Sequence, residues 1–190
     1  MPSFRAGRRS KSWNRNVVAV GLSSGFLEPL ESTSLYLSQM AITYLIELFP
    51  IGGRIDPRDR DEFNRLVDME YDRVRDFLIL HFHATARDDT DYWRHLRSME
   101  LPDTLADRIA IYRASGRLYR EADELFSKTS WLAVLHGQGI DPSGYDPIAD
   151  GMPRDEAAAR LARIAEVTAL AASRMPAHEA FLHESGALQR

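Results

Sequence analysis

One short run, Val17-Val18-Ala19-Val20-Gly21-Leu22, is apolar and rich in β-branched residues, and little else in the 190 residues looks like a strand. A strand cannot satisfy its own backbone N–H and C=O groups. This one therefore needs sheet partners that the rest of the sequence does not supply. The expected fold class is mainly α, with one N-terminal strand orphaned from its sheet.

Helical periodicity fills the remainder. Residues 32–49 read as a helix with Ser32 or Thr33 as N-cap. Its apolar face holds Leu35, Leu37, Met40, Ala41, Tyr44, Leu45 and Leu48, and Pro50 and Gly52-Gly53 stop it. A longer helix is predicted from Pro57 to Phe82, with the stripe Phe63, Leu66, Val67, Tyr71, Val74, Phe77 and Leu78. Shorter helices are predicted at about 89–99, 103–114, 120–127 and 129–136. Gly137 to Met152, with four glycines and two prolines, reads as an ordered loop. A last long helix spans Pro153 to Arg174, and Pro176 restarts a short one. Residues 1–190 are expected to form one region. It comprises a basic irregular lead over 1–16, a strand and turn over 17–34, and helices over 35–190.

Composition narrows the function classes. The net charge is −4, so no global basic surface invites nucleic acid. The local cluster Arg5, Arg8, Arg9, Lys11 and Arg15 reads as a solvated segment or a phosphate contact. The absence of cysteine excludes disulfides, thiol nucleophiles and Cys-ligated zinc, and a cytoplasmic protein is expected. No apolar run reaches the ~18 residues of a membrane span. His81 and His83 lie two apart on a helix and point to different faces, so no metal pair is expected.

The chemistry-bearing segment is Gly25-Phe26-Leu27-Glu28-Pro29-Leu30-Glu31-Ser32-Thr33-Ser34. Two carboxylates flank a proline between the apolar run and the first long helix. One reading is helix N-terminal chemistry, in which acids complement the dipole and Ser or Thr caps. The other is a reactive site. Gly21 and Gly25 with Ser23 and Ser24 leave the backbone open to a flat or phosphorylated ligand. The amides of Thr33 and Ser34 would then face a small anion at the helix N-terminus. Trp93 and Trp131, with Tyr92 and Phe126, could line an indole-sized pocket or could be core.

Gly7-Arg8-Arg9, Trp13-Asn14-Arg15-Asn16, the 17–22 run and Gly25 through Ser34 together resemble the C-terminal half of the flavin-dependent tryptophan halogenases. Phe63-Asn64, Arg75-Asp76-Phe77 with His81, Arg87-Asp88-Asp89 with Trp93, and Trp131 before Gly137-Gln138-Gly139 extend the resemblance. It implies the helical C-terminal part of an FAD-dependent halogenase or monooxygenase-like α+β fold. By resemblance, Glu31 matches the catalytic glutamate, which positions the halogenating species or removes the ring proton. Ser32 matches a serine between that glutamate and the flavin. The amides of Thr33 and Ser34 match the halide site, where many tryptophan-specific members have glycine at the position of Ser34. Gly21 to Gly25 match the turn that runs past the flavin.

The resemblance also implies reduced FAD from a separate flavin reductase, O2, chloride or bromide, and an aromatic substrate such as tryptophan or indole. The family's Gly-x-Gly-x-x-Gly turn, its Trp-x-Trp-x-Ile-Pro segment and its catalytic lysine are absent, and Lys11 and Lys128 stand in other contexts. The chain is expected to be the C-terminal portion of a halogenase, inactive alone. It would need a missing N-terminal FAD domain or form a homodimer. Two alternatives stand beside this: a flavin-dependent aromatic monooxygenase relative, and a truncated non-enzymatic helical binding module.

Overall fold

The computed structural model describes residues 6–120 and 124–187. It is mainly α, as expected, and it divides into two compact units at Tyr145/Asp146, inside the glycine- and proline-rich stretch.

The first unit opens with four two-residue strands: β1 (Gly7–Arg8), β2 (Trp13–Asn14), β3 (Val17–Val18) and β4 (Gly25–Phe26). β2 pairs antiparallel with β3, and β1 pairs antiparallel with β4 outside them. The expected strand 17–22 is thus cut to two residues, and its partner is the preceding segment, which was expected to be irregular. The cause is local. Arg15 adopts a left-handed conformation and folds the chain back. Gly21, also left-handed, then starts a 3-10 turn over Gly21–Ser23. Leu22 ends 74% exposed.

Helix α1 (Ser34–Glu47) follows, then α2 (Pro57–His83). Pro57 occupies the first turn of α2, and Asp56 accepts a hydrogen bond from the Arg58 amide at 2.8 Å. Of the stripe expected on α2, Phe63, Val67, Tyr71, Val74, Phe77 and Leu78 are buried. On α1, Leu37 and Ala41 are buried, whereas Leu35 points to solvent. Helices α3 (Asp91–Ser98), α4 (Asp103–Ser115) and α5 (Lys128–Gly137) complete this unit. No helix is found over the described part of 120–127, and residues 121–123 lie outside the described residues. Ser127 instead caps α5, accepting from the Ser130 amide.

Helix α2 is the spine. Its Phe63, Val67, Tyr71, Val74 and Leu78 pack in one core cluster with Trp13, Leu37 and Ala41, and its Phe77 and Leu80 in another with Leu105, Ile109, Tyr112, Trp131 and Leu135. Phe126 packs against both clusters. The hairpin is clamped to α2 by Asn64. Its carboxamide accepts from the Trp13 amide at 2.8 Å and donates to the Trp13 carbonyl at 3.0 Å, copying a strand neighbour. Trp13 then sets its ring edge-on against Phe63 at 5.5 Å.

Helix α1 is tied to α2 by a buried carboxylate. Glu70 is 2% exposed and accepts from the Tyr36 hydroxyl at 2.9 Å and from the Tyr44 hydroxyl at 2.8 Å. The Arg73 guanidinium lies 3.7 Å away.

The second unit holds a 3-10 turn over Pro147–Gly151, then α6 (Arg154–Arg174) and α7 (His178–Glu184). Within it, Leu161, Ile164, Val167 and Leu170 line one face of α6 and are exposed. No helix among the described residues is long and apolar enough to cross a membrane.

The Tyr–Glu–Tyr clasp predicts alkaline sensitivity. Burial, and next the hydrogen bond to Glu70, hold both phenols well above their usual range. A proton-bearing folded form then loses ground once the unfolded phenol ionises. Stability should be full below about pH 10 and fall as pH rises beyond it. Tyr44→Phe should cost about 1.5–3 kcal/mol near neutrality, the worth of a hydrogen bond to a charged group. It should also flatten the alkaline decline, as read by urea unfolding across pH.

Candidate functional site

The turn between β4 and α1 is built around backbone conformations that few residues adopt. Ser32 N–H donates to the Pro29 carbonyl at 2.8 Å. Glu31 (φ 64°) and Ser32 (φ 52°) are consecutive left-handed residues, and neither is glycine. Each such residue costs about 1–2 kcal/mol, and strain of this kind collects at functional sites. Thr33 returns to helical geometry, and α1 begins at Ser34. The first hydrogen bond of the helix runs from the Leu37 amide to the Thr33 carbonyl at 3.0 Å. The amides of the first turn, Ser34 among them, have no carbonyl one turn back. Thr33 stands at the N-cap position, yet its side chain caps nothing. It is 1% exposed, and its Oγ1 has no hydrogen-bond partner among the described residues.

Glu31 presents a half-exposed carboxylate. Its Oε1 lies 3.4 Å from Nε2 of His81, near the end of α2. The ring edge of His81 meets Phe77 at 4.7 Å. Phe77 in turn stacks on Phe126 at 3.7 Å and meets the Trp131 ring at 4.9 Å. A run of aromatic rings thus leads from Glu31 into the second core cluster. Trp131 sits at its far side, 3% exposed, with the Arg108 guanidinium over its face at 4.2 Å. Arg108 is held by a buried bidentate pair with Glu124 at 2.7 and 3.2 Å. Trp93 belongs to a separate group on α3, stacked on Phe82 at 6.2 Å beneath the Arg87 guanidinium. Tyr92 meets Trp93 edge-on at 5.2 Å. The two tryptophans named from the sequence therefore lie in different groups of rings.

The turn 21–25 is fixed by its own serines. Ser23 Oγ accepts from the Val20 amide and donates to the Val20 carbonyl. Ser24 Oγ donates to the Gly21 carbonyl and meets the Tyr71 hydroxyl at 3.0 Å. Gly25 is demanded by pairing, because a Cβ there would come within 2.9 Å of the Arg8 backbone. Beside this turn lies an open groove of about 660 Å³, walled by Leu22 and Phe26 with Gly7, Arg8, Arg9 and Ser24. Arg8 is paired with Asp68 and lies 3.5 Å from Asp72, while Arg9 donates through Nε to the Ser23 carbonyl at 2.6 Å. Arg5 lies outside the described residues.

The sequence singled out Glu31 to Ser34 as one segment, and the structure sets them in one turn at the start of α1. Sequence reasoning missed the partnership of Glu31 with His81, fifty residues away, and the clasp on Glu70. The eight-residue spacing of Tyr36 and Tyr44, which puts both on one side of α1, was the one available signal for the clasp.

The chain resembles known proteins over most of its length. The chain is 32% identical to tryptophan 7-halogenase KtzQ of Kutzneria over 94% of its own length and 37% of that protein's. It is 39% identical to tryptophan 6-halogenase SttH of Streptomyces toxytricini, over 77% of this chain and 29% of that one. It superposes on BrvH, a flavin-dependent halogenase from Brevundimonas, with a TM-score of 0.87 and 45% identity, covering 95% of this chain and 37% of BrvH. The chain thus spans about a third of the length of these relatives. The sequence pattern that defines the tryptophan halogenases matches residues 1–154, and the chain belongs to that family.

Proposed function

We propose that this chain forms the halide- and substrate-side portion of a flavin-dependent halogenase that acts on an electron-rich arene such as tryptophan or indole. The single observation that carries this reading is the strained turn that sets Glu31 beside the first-turn amides of α1. Left-handed backbone at Glu31 and Ser32 displays a carboxylate next to a helix N-terminus, where amides and the dipole favour an anion. The buried, unpartnered Thr33 hydroxyl is a donor suited to the same anion. Chloride or bromide, small and content with few donors, fits there.

The flavin fits in part. Leu22 and Phe26 and the open backbone between them suit the flat face of a ring system. A phosphate-binding turn of dinucleotide type would have to come from outside these 190 residues, and the chain spans about a third of its relatives' length. When bound, reduced FAD with O2 supplies the oxidising power that turns halide into an electrophilic halogen. A separate reductase in the cytoplasm would provide the reduced flavin. This chain's residues would hold the halide at Thr33 and Ser34 and take the proton of the substituted ring carbon on Glu31, and Ser32 would contact the flavin. Gly21 and Gly25 shape the turn that would hold the flavin. Trp93 is the candidate aromatic contact for the substrate, whereas Trp131, buried in the second core cluster, backs the site only through Phe77 and Phe126.

Bromide titration of the 15N-labelled chain should move the Thr33 and Ser34 amides saturably, and sulfate should not. Shifts confined to other residues would refute the halide assignment. In the flavoprotein that contains this chain, Glu31→Gln should lower halogenation about 10²-fold or more, the scale of a lost general base, and should leave bromide binding intact. Ser32→Gly should relieve about 1–2 kcal/mol of left-handed strain against a glycine entropy cost of about 0.5–1 kcal/mol. Thermal unfolding should therefore show a small net gain in stability, together with weaker bromide binding from a looser turn.

A further inference from the structure

The neighbour of Glu31 on α2 has a defined protonation geometry. His81 is 14% exposed at its side chain. Its Nδ1 lies 2.8 Å from the Phe77 carbonyl oxygen. A carbonyl only accepts, so Nδ1 carries a proton. In the neutral ring the nitrogen left bare is then Nε2, the one that faces Glu31 Oε1 at 3.4 Å. A bare nitrogen and a carboxylate repel at that distance. They attract when one proton lies on Nε2 or between the two atoms. The ring cannot turn to avoid this, because its edge is set against Phe77 at 4.7 Å and 82°.

We propose that His81 is the positioning residue of Glu31: its bare Nε2 faces Oε1, and it directs and then receives, through an O–H···N hydrogen bond, the proton that the carboxylate acquires. This rests on the reading of Glu31 as the group that deprotonates the halogenated ring. In that step the C–H electron pair returns to the ring and the proton passes to Oε1. It moves on to Nε2, which restores the carboxylate and leaves an imidazolium beside it, and water then removes it. The pair gives the proton a place to go that is not the substrate, and it keeps Glu31 ionised for the next ring.

The test uses the 190-residue chain labelled with 15N in its histidine rings. At mildly alkaline pH, long-range 1H–15N correlations should show His81 as the Nδ1–H tautomer, opposite to the form that free histidine favours. At mildly acidic pH its Nε2–H should be shifted downfield and exchange slowly with water. Glu31→Gly suits the left-handed backbone. It should leave the Nδ1–H tautomer in place and speed Nε2–H exchange by about tenfold or more, the worth of a charge-assisted hydrogen bond. Glu31→Gln keeps an uncharged acceptor and should fall between. A neutral His81 protonated on Nε2, or Nε2–H exchange that rises by less than this in Glu31→Gly, would overturn the proposal. Bromide titration of the same sample separates the two readings. Unmoved Thr33 and Ser34 amides with the His81 signature intact would refute the halide site alone, and the reverse pattern would refute the His81 assignment alone.

Discussion

A carboxylate buried on a helix spine has to be answered by donors, and in this chain the answer sets the geometry of everything around it. Glu70 is held by the hydroxyls of Tyr36 and Tyr44. Those two residues are eight apart, about 12 Å along α1, so α1 straddles Glu70 and its position along α2 is fixed. The N-terminus of α1 is fixed with it. Eleven residues beyond Glu70, about 16 Å up α2, His81 meets the carboxylate that precedes α1. Toward the start of α2, Asn64 clamps the hairpin through Trp13. One helix thus carries the anchor of the turn, the anchor of α1 and the partner of Glu31.

The turn itself is where stability is given up. Two adjacent left-handed residues that are not glycine are tolerated because both ends of the segment are held. Gly25 is locked into its pairing with Arg8, and α1 is locked by the Glu70 clasp. The Glu31 carboxylate comes within 3.4 Å of His81 Nε2. A relaxed turn would let the carboxylate swing away from both the amides and His81. Preorganisation of this sort is what an anion site and a proton acceptor need if they are to act on the same substrate.

Much of the scaffold was legible in the sequence. Pro57 marked the start of α2, and its stripe was buried nearly as written. The 17–22 run misled because β-branched composition reports a preference for extended backbone, not its length. Arg15 and Gly21 decided the length, and a left-handed arginine leaves no mark in the sequence. Leu35 misled because it shares the period of the α1 face but lies off the side that meets α2. Ser127, a cap, was read as part of a helix. At the site, the segment Glu31 to Ser34 was legible as chemistry, whereas its left-handed backbone was not, since residues 31 and 32 are not glycine. His81 was weighed as a metal ligand by its spacing to His83. Its true relationship, across fifty residues, is written only in the crossing of α1 and α2.

The central claim is that the strained turn and the start of α1 form a halide site beside Glu31. The most direct measurement is a crystal of the chain grown or soaked in bromide, with diffraction collected at the bromine absorption edge. The account predicts an anomalous peak within hydrogen-bonding reach of the Thr33 and Ser34 amides and the Thr33 hydroxyl. Well-ordered bromide elsewhere on the chain, with that position empty, would contradict it.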